Sequence, residues 1–73
     1  MKKSDIKEGL ALYDELNGRS IVVLRVYEEN GTALCNTEED VYDEETDTVI
    51  DTLADTQLFG LSELTHFKEV DAW

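Results

Sequence analysis

"IVVLRVY", residues 21–27, decides the fold. Five of these seven side chains are β-branched or aromatic, and the run is too short for a typical helix, so it reads as a strand. Alternation puts Val22, Leu24 and Val26 on one face, the face expected to enter the core. Ile21, Val23 and Tyr27 share the other face with Arg25. A strand apolar on both faces is central in a sheet or wrapped in a small barrel.

Working outward from it, "ELNGRS" precedes the strand, and Asn17-Gly18 is the preferred dipeptide of a type I′ hairpin turn. "GLALYDEL", residues 9–16, can be read two ways. As a strand it directs Leu10, Leu12 and Leu16 to one side, interrupted by Asp14. As a helix from Asp5 it takes Ser4 as N-cap, Ile6, Leu10 and Tyr13 as its stripe, and Gly18 beyond its C-terminus. Gly9 inside a helix costs about 1 kcal/mol, which favours the strand. After Tyr27, "EENG" signals another turn at Asn30-Gly31. "TALCN", residues 32–36, reads as a short strand with Ala33 and Cys35 on one face and Leu34 on the other. Val41 and Tyr42 begin another strand, "DEETD" makes a solvated turn, and "TVIDTL" returns. Strands are thus expected near 10–16, 20–28, 32–36, 40–43 and 47–53. In the tail, Leu61, Leu64 and Phe67 recur every three residues, with Ser62 as candidate N-cap, which predicts a short helix or 3₁₀ turn plugging an open barrel end.

This order of signals resembles the small SH3-like barrels of bacterial and phage proteins: "IKEGLALY", a turn, "VVLRVY", an acidic hairpin "VYDEETDTVID", and a closing Leu-rich segment. The resemblance covers most of residues 6–65 and is one of rhythm rather than motif. It implies a mainly β fold, a small SH3-like open barrel of about five strands with a short C-terminal helix or 3₁₀ turn. Barrels of this shape bind peptides, nucleic acids or proteins, so the fold does not choose the function.

At 73 residues the chain is expected to form one small globular domain. Such a domain buries only about 60% of its unfolded surface, which disfavours a deep catalytic cavity. No apolar run approaches the ~18 residues of a membrane span. The N-terminal residues contain no secretory apolar segment, and Cys35 is the single cysteine, so a cytoplasmic protein without an internal disulfide is expected. The net charge is −12. Between Val26 and Phe67 the chain carries twelve acids and no Lys or Arg. A field of that sign repels nucleic acid and anionic membrane and attracts basic proteins and cations.

Nothing in the sequence assembles a catalytic constellation, and the chain is expected not to be an enzyme. Nucleophilic catalysis needs a nucleophile, a base and an orienting group. The only thiol, Cys35, and the only imidazole, His66, come from different elements, and carboxylates near Cys35 would raise its pKa. Cys35 reads as a small semi-buried hydrophobe and His66 as a surface or barrel-edge residue; together they cannot form a usual structural zinc site. The acids cluster in turns, where water screens them, unlike an acid–base pair in a cleft. "DEETDTVIDTLA", residues 43–54, places Asp43, Glu45 and Asp47 as a calcium loop would. Thr48 stands where that loop needs Gly, however, and Ala54 where it needs Glu. Neither a metal nor a cofactor is expected.

The acidic block therefore allows two functions. It can be the contact face of a non-enzymatic protein-binding module, with Glu38, Asp40, Asp43, Glu45, Asp47 and Asp51 as its charges and a basic protein as partner. Asp47 and Asp51 are expected to share a face, with Glu38 and Asp40 on the neighbouring strand. In size and charge the chain is similar to the small acidic phage inhibitors that mimic DNA, which implies a nucleic-acid-binding partner. Tyr13, Tyr27, Tyr42 and Trp73 are candidate aromatic anchors, although Tyr27 and Tyr42 are expected to pack on the barrel. Alternatively the acids serve only solubility, in an accessory or structural bacterial or phage module, with a homo-oligomer left open.

Overall fold

A computed structural model describes residues 2–70. They form a single five-stranded antiparallel sheet: β1 (Ala11–Asp14), β2 (Arg19–Tyr27), β3 (Thr32–Asp43), β4 (Thr48–Gly60) and β5 (Lys68–Glu69). The strand order is β4-β3-β2-β1-β5. The fold is therefore mainly β, as the strand signals require, and the sheet is not closed among the described residues. A 3₁₀ turn at Lys3–Asp5 precedes the sheet and another, Glu28–Asn30, joins β2 to β3. Gly31 ends the latter in the left-handed region at φ 65°, where a side chain would be strained.

The helix alternative for residues 5–17 is not adopted. Ser4 lies within the first 3₁₀ turn, and β1 takes Ala11–Asp14 of the strand expected at 10–16, leaving Leu10 and Leu16 outside it. One short helix, α1 (Leu61–Leu64), lies between β4 and β5. Its N-cap is Gly60, without a side-chain cap, so Ser62 is inside the helix and not its cap.

The core is Ile6, Leu12, Ile21, Val23, Ala33, Cys35, Phe59, Leu61 and Leu64, with Leu10, Val26 and Phe67 packed against it. This reverses the expected faces of β2 over residues 21–24 but not at Val26. Ile21 and Val23 are fully buried, whereas Val22 and Leu24 are 38% and 45% exposed. A β-bulge splits the set of residues expected on the core face. Val23 pairs with Cys35, then Arg25 with Leu34, so Leu24 is an extra residue on β2. Val26 consequently returns to the inner face opposite Ala33. A bulge changes parity, and strict alternation cannot foresee it.

The Asn17-Gly18 dipeptide does not form the expected two-residue turn. Asp14 and Arg19 are the last pair, leaving a four-residue loop. Gly18 has φ 62°, while Asn17 is not among the residues with positive φ that a type I′ turn requires. The loop is organised instead by Asp14. Its Oδ1 accepts from the N–H groups of Leu16 (3.1 Å) and Asn17 (3.3 Å), and its Oδ2 from Asn17 Nδ2 (2.7 Å) and Arg19 Nε (3.1 Å). Leu16, expected on an apolar face, is 96% exposed in this loop.

β3 is one strand, not the two expected at 32–36 and 40–43, and β4 runs beyond the expected residue 53 to Gly60. The acidic residues Glu38 and Glu39 continue the ladder, opposite Ala54 and Leu53. β2 ends its pairing with β3 at Arg19–Glu39. Beyond that point β3 and β4 continue as a two-stranded arm, Asp40–Asp43 against Thr48–Thr52, with residues 44–47 at its tip. The molecule measures 46 × 22 × 20 Å along its principal axes.

Candidate functional site: an acidic arm

Three elements carry the six acids singled out by the sequence. Glu38 and Asp40 lie on the outer face of β3, opposite Ala54 and Thr52. Asp51 lies on the other face of the arm, opposite Val41. Asp43 is the last β3 residue before the turn, and Glu45 and Asp47 belong to the turn itself. The Asp47 N–H donates to the Asp43 carbonyl (2.7 Å), and Asp43 Oδ1 accepts from the Glu45 N–H (3.0 Å). Asp47 closes the turn at φ 52°. It therefore does not share a strand face with Asp51, as alternation had suggested. The charges surround the arm, on both faces and at its tip.

Asp55, beyond the strand end expected at residue 53, lies on the same face of β4 as Asp51 and opposite Thr37. Residues 38–55 thus hold nine carboxylates and no basic side chain. Among the described residues the one ion pair is Arg19–Asp14, at the base of the arm. The arm's acids are exposed or, for Asp43, half-buried. Apolar side chains are exposed among them: Tyr42, Val49, Ile50 and Leu53 are 57%, 51%, 63% and 57% accessible. Ile50 is the extra residue of a second bulge, between the pairs Val41–Asp51 and Tyr42–Val49.

The tyrosines divide. Tyr42 is exposed and does not pack on the sheet's core as expected, and Tyr27 is half-buried. Tyr13 and Tyr42, with Ser20, Glu38, Asp40 and Gly18, line an outer-face groove of about 400 Å³. This groove places two aromatic rings beside two carboxylates, a setting suited to a cationic side chain. Trp73 lies outside the described residues.

Asp14 and Arg19 position the base of the arm. Asp14 is 2% accessible, and its pKa lies below the ordinary carboxylate value. The Asn17 side-chain hydrogen bond is the main cause, with Arg19 adding to it and burial opposing. Arg19 also reaches Gln57 Oε1 on β4 (3.5 Å) and sits 5.4 Å from the centroid of the Phe59 ring. One guanidinium thereby links β1, β2 and β4 across the inner face.

Cys35 is fully buried, and burial pushes its thiol up to about 11. Desolvation, rather than the neighbouring carboxylates, is the cause. His66 is exposed and lines a groove with Tyr13, Leu16, Phe67 and Lys68. Strands, not helices, flank residues 44–47, which is not the setting of a helix–loop–helix calcium site. Among the described residues no three His, Cys, Asp or Glu side chains converge as metal ligands. No helix there is long and apolar enough to cross a membrane. No protein-family model, curated protein or solved structure matches the chain.

Proposed function

We propose that the protein is a non-enzymatic binding module whose acidic arm engages a basic protein, in the manner of a DNA mimic. One observation carries this: a two-stranded arm extends past the sheet with carboxylates on both faces and its tip, and with no base to neutralise them. A module needing only solubility gains nothing from concentrating charge on one projection, since mixed charges serve as well. Negative charge all round a narrow rod is also what a nucleic acid presents to its binding groove. Glu38, Asp40, Asp43, Glu45, Asp47 and Asp51 are the charges of this contact, extended by Asp55. The strand order, the short helix before β5 and the open sheet are in keeping with an SH3-like open barrel as the supporting body. A single, buried cysteine, Cys35, fits a reducing cytoplasm.

Capture from lysate at low salt, followed by elution with duplex DNA, tests the proposal. Basic nucleic-acid-binding proteins released by both DNA and salt are expected. Failure to recover any basic protein would leave the acids as a solubility device.

A further inference from the structure

We infer that the free edge of β4 is a strand-addition site for an extended basic segment of the partner, reading basic-x-apolar-x-basic. This rests on the binding function proposed above and specifies how the arm is engaged. β4 has thirteen residues and, among the described residues, pairs only with β3. Eleven consecutive residues, Thr48–Leu58, are exposed. The opposite edge, β5, has two residues and offers no comparable template. Beyond Glu39 the arm is a two-stranded ribbon, and such ribbons are marginal in water until a third strand joins them.

The edge has a definite polarity. The Asp55 carbonyl accepts from Thr37 Oγ1 on β3 (3.3 Å), so the backbone polar groups of Asp55 face β3. By the two-residue alternation of an antiparallel strand, the N–H groups of Thr52, Ala54 and Thr56 face the free edge. Two of these are already capped by their own strand. Asp51 Oδ1 accepts from the Thr52 N–H (2.8 Å) and Asp55 Oδ1 from the Thr56 N–H (2.9 Å).

These caps select the occupant. An incoming strand must displace both carboxylates to reach the N–H groups, and only a strand bringing cations re-pairs the displaced charges. A second copy of β4 would bring Asp51 and Asp55 and no base, so self-pairing is opposed by repulsion. Asp51, Leu53 and Asp55 share one face, with the carboxylates about 13 Å apart at ~3.3 Å per residue. Residues directly opposite in a ladder share a face. The matching strand therefore places Lys or Arg four residues apart with an apolar side chain midway against Leu53. Small β-formers fit between them, opposite Thr52 and Ala54.

The test uses an acetylated, amidated peptide, Thr-Lys-Thr-Val-Thr-Lys-Thr, titrated into the isotope-labelled protein. A control of equal charge and sequence is N-methylated at Val and its two flanking Thr. Slowed amide exchange at Thr52 and Thr56, and binding about tenfold weaker for the control, are expected because the control cannot complete the ladder. Equal binding by both peptides, without protection of those amides, overturns strand addition while leaving the acidic arm as a charge-driven contact. Absence of binding by either peptide overturns both.

Discussion

Replacing Asp14 by Ala should remove the organising centre of the β1–β2 loop. Four hydrogen bonds end on its carboxylate, one of them from the Arg19 guanidinium. Hydrogen bonds to a charged acceptor contribute about 1.5–3 kcal/mol, neutral ones about 0.5–1.5. Their sum overstates the loss, because the Leu16 and Asn17 donors lie in an exposed loop and regain water, and Arg19, 20% accessible, keeps Gln57. A loss of about 2–4 kcal/mol is expected, against a total near 4–11 kcal/mol for a domain of this length. Asp14→Asn, able to accept but uncharged, should lose about half as much. The effect also has a pH signature. The folded pKa of Asp14 is lowered, so its contribution is complete above the unfolded carboxylate value near ~3.9. It is lost as pH falls through the lowered folded value. Urea denaturation at neutral and acid pH should therefore show the wild type converging on Asp14→Asn in acid. An Ala variant as stable as wild type at neutral pH, or a gap unchanged in acid, would refute the role given to Asp14.

The bulged register of β2 predicts that Ile21→Ala, at a fully buried site, destabilises by about 2–5 kcal/mol. Leu24→Ala, at the exposed bulge, should cost about 1 kcal/mol or less, and the reverse ranking in thermal melts would contradict the register. Cys35, with its thiol pushed up by burial, should resist Ellman's reagent in the folded protein and react on unfolding. Native reactivity matching that of a free thiol would oppose this. Raising sodium chloride from about 0.01 to 0.15 M shortens the Debye length from about 30 to 8 Å. The melting temperature should rise with it, since the arm's acids lack bases; a fall would contradict the account.

The strand at 21–27, the opposed faces of Ala33–Cys35 and Leu34, the turn at 44–47 and the Leu61–Leu64 helix were legible because each follows local chemistry or a simple period. The bulge at Leu24 was not, because it answers to pairing with β3 rather than to the residues of β2. Asp14 read as a defect in an apolar face, yet its four donors make burial favourable. That requirement displaced the Asn17-Gly18 turn. Glu38 and Glu39 looked like a break between two strands, but exposed strands tolerate acids, so β3 runs through them. The acidic block was plain in composition. Its distribution over two faces and a tip was not, because it depends on where β2 stops and where Ile50 bulges.

The central claim, that the arm is the contact, is tested most directly by neutralising it. Asp43, Glu45, Asp47 and Asp51 are replaced together by Asn or Gln, since single exposed pairs contribute only about 0.2–1 kcal/mol. After circular dichroism confirms the fold, the affinity for the basic protein captured by the wild type is measured at low and high salt. The account predicts a collective loss of binding and of salt dependence. A neutralised arm that binds as tightly as the original would contradict it.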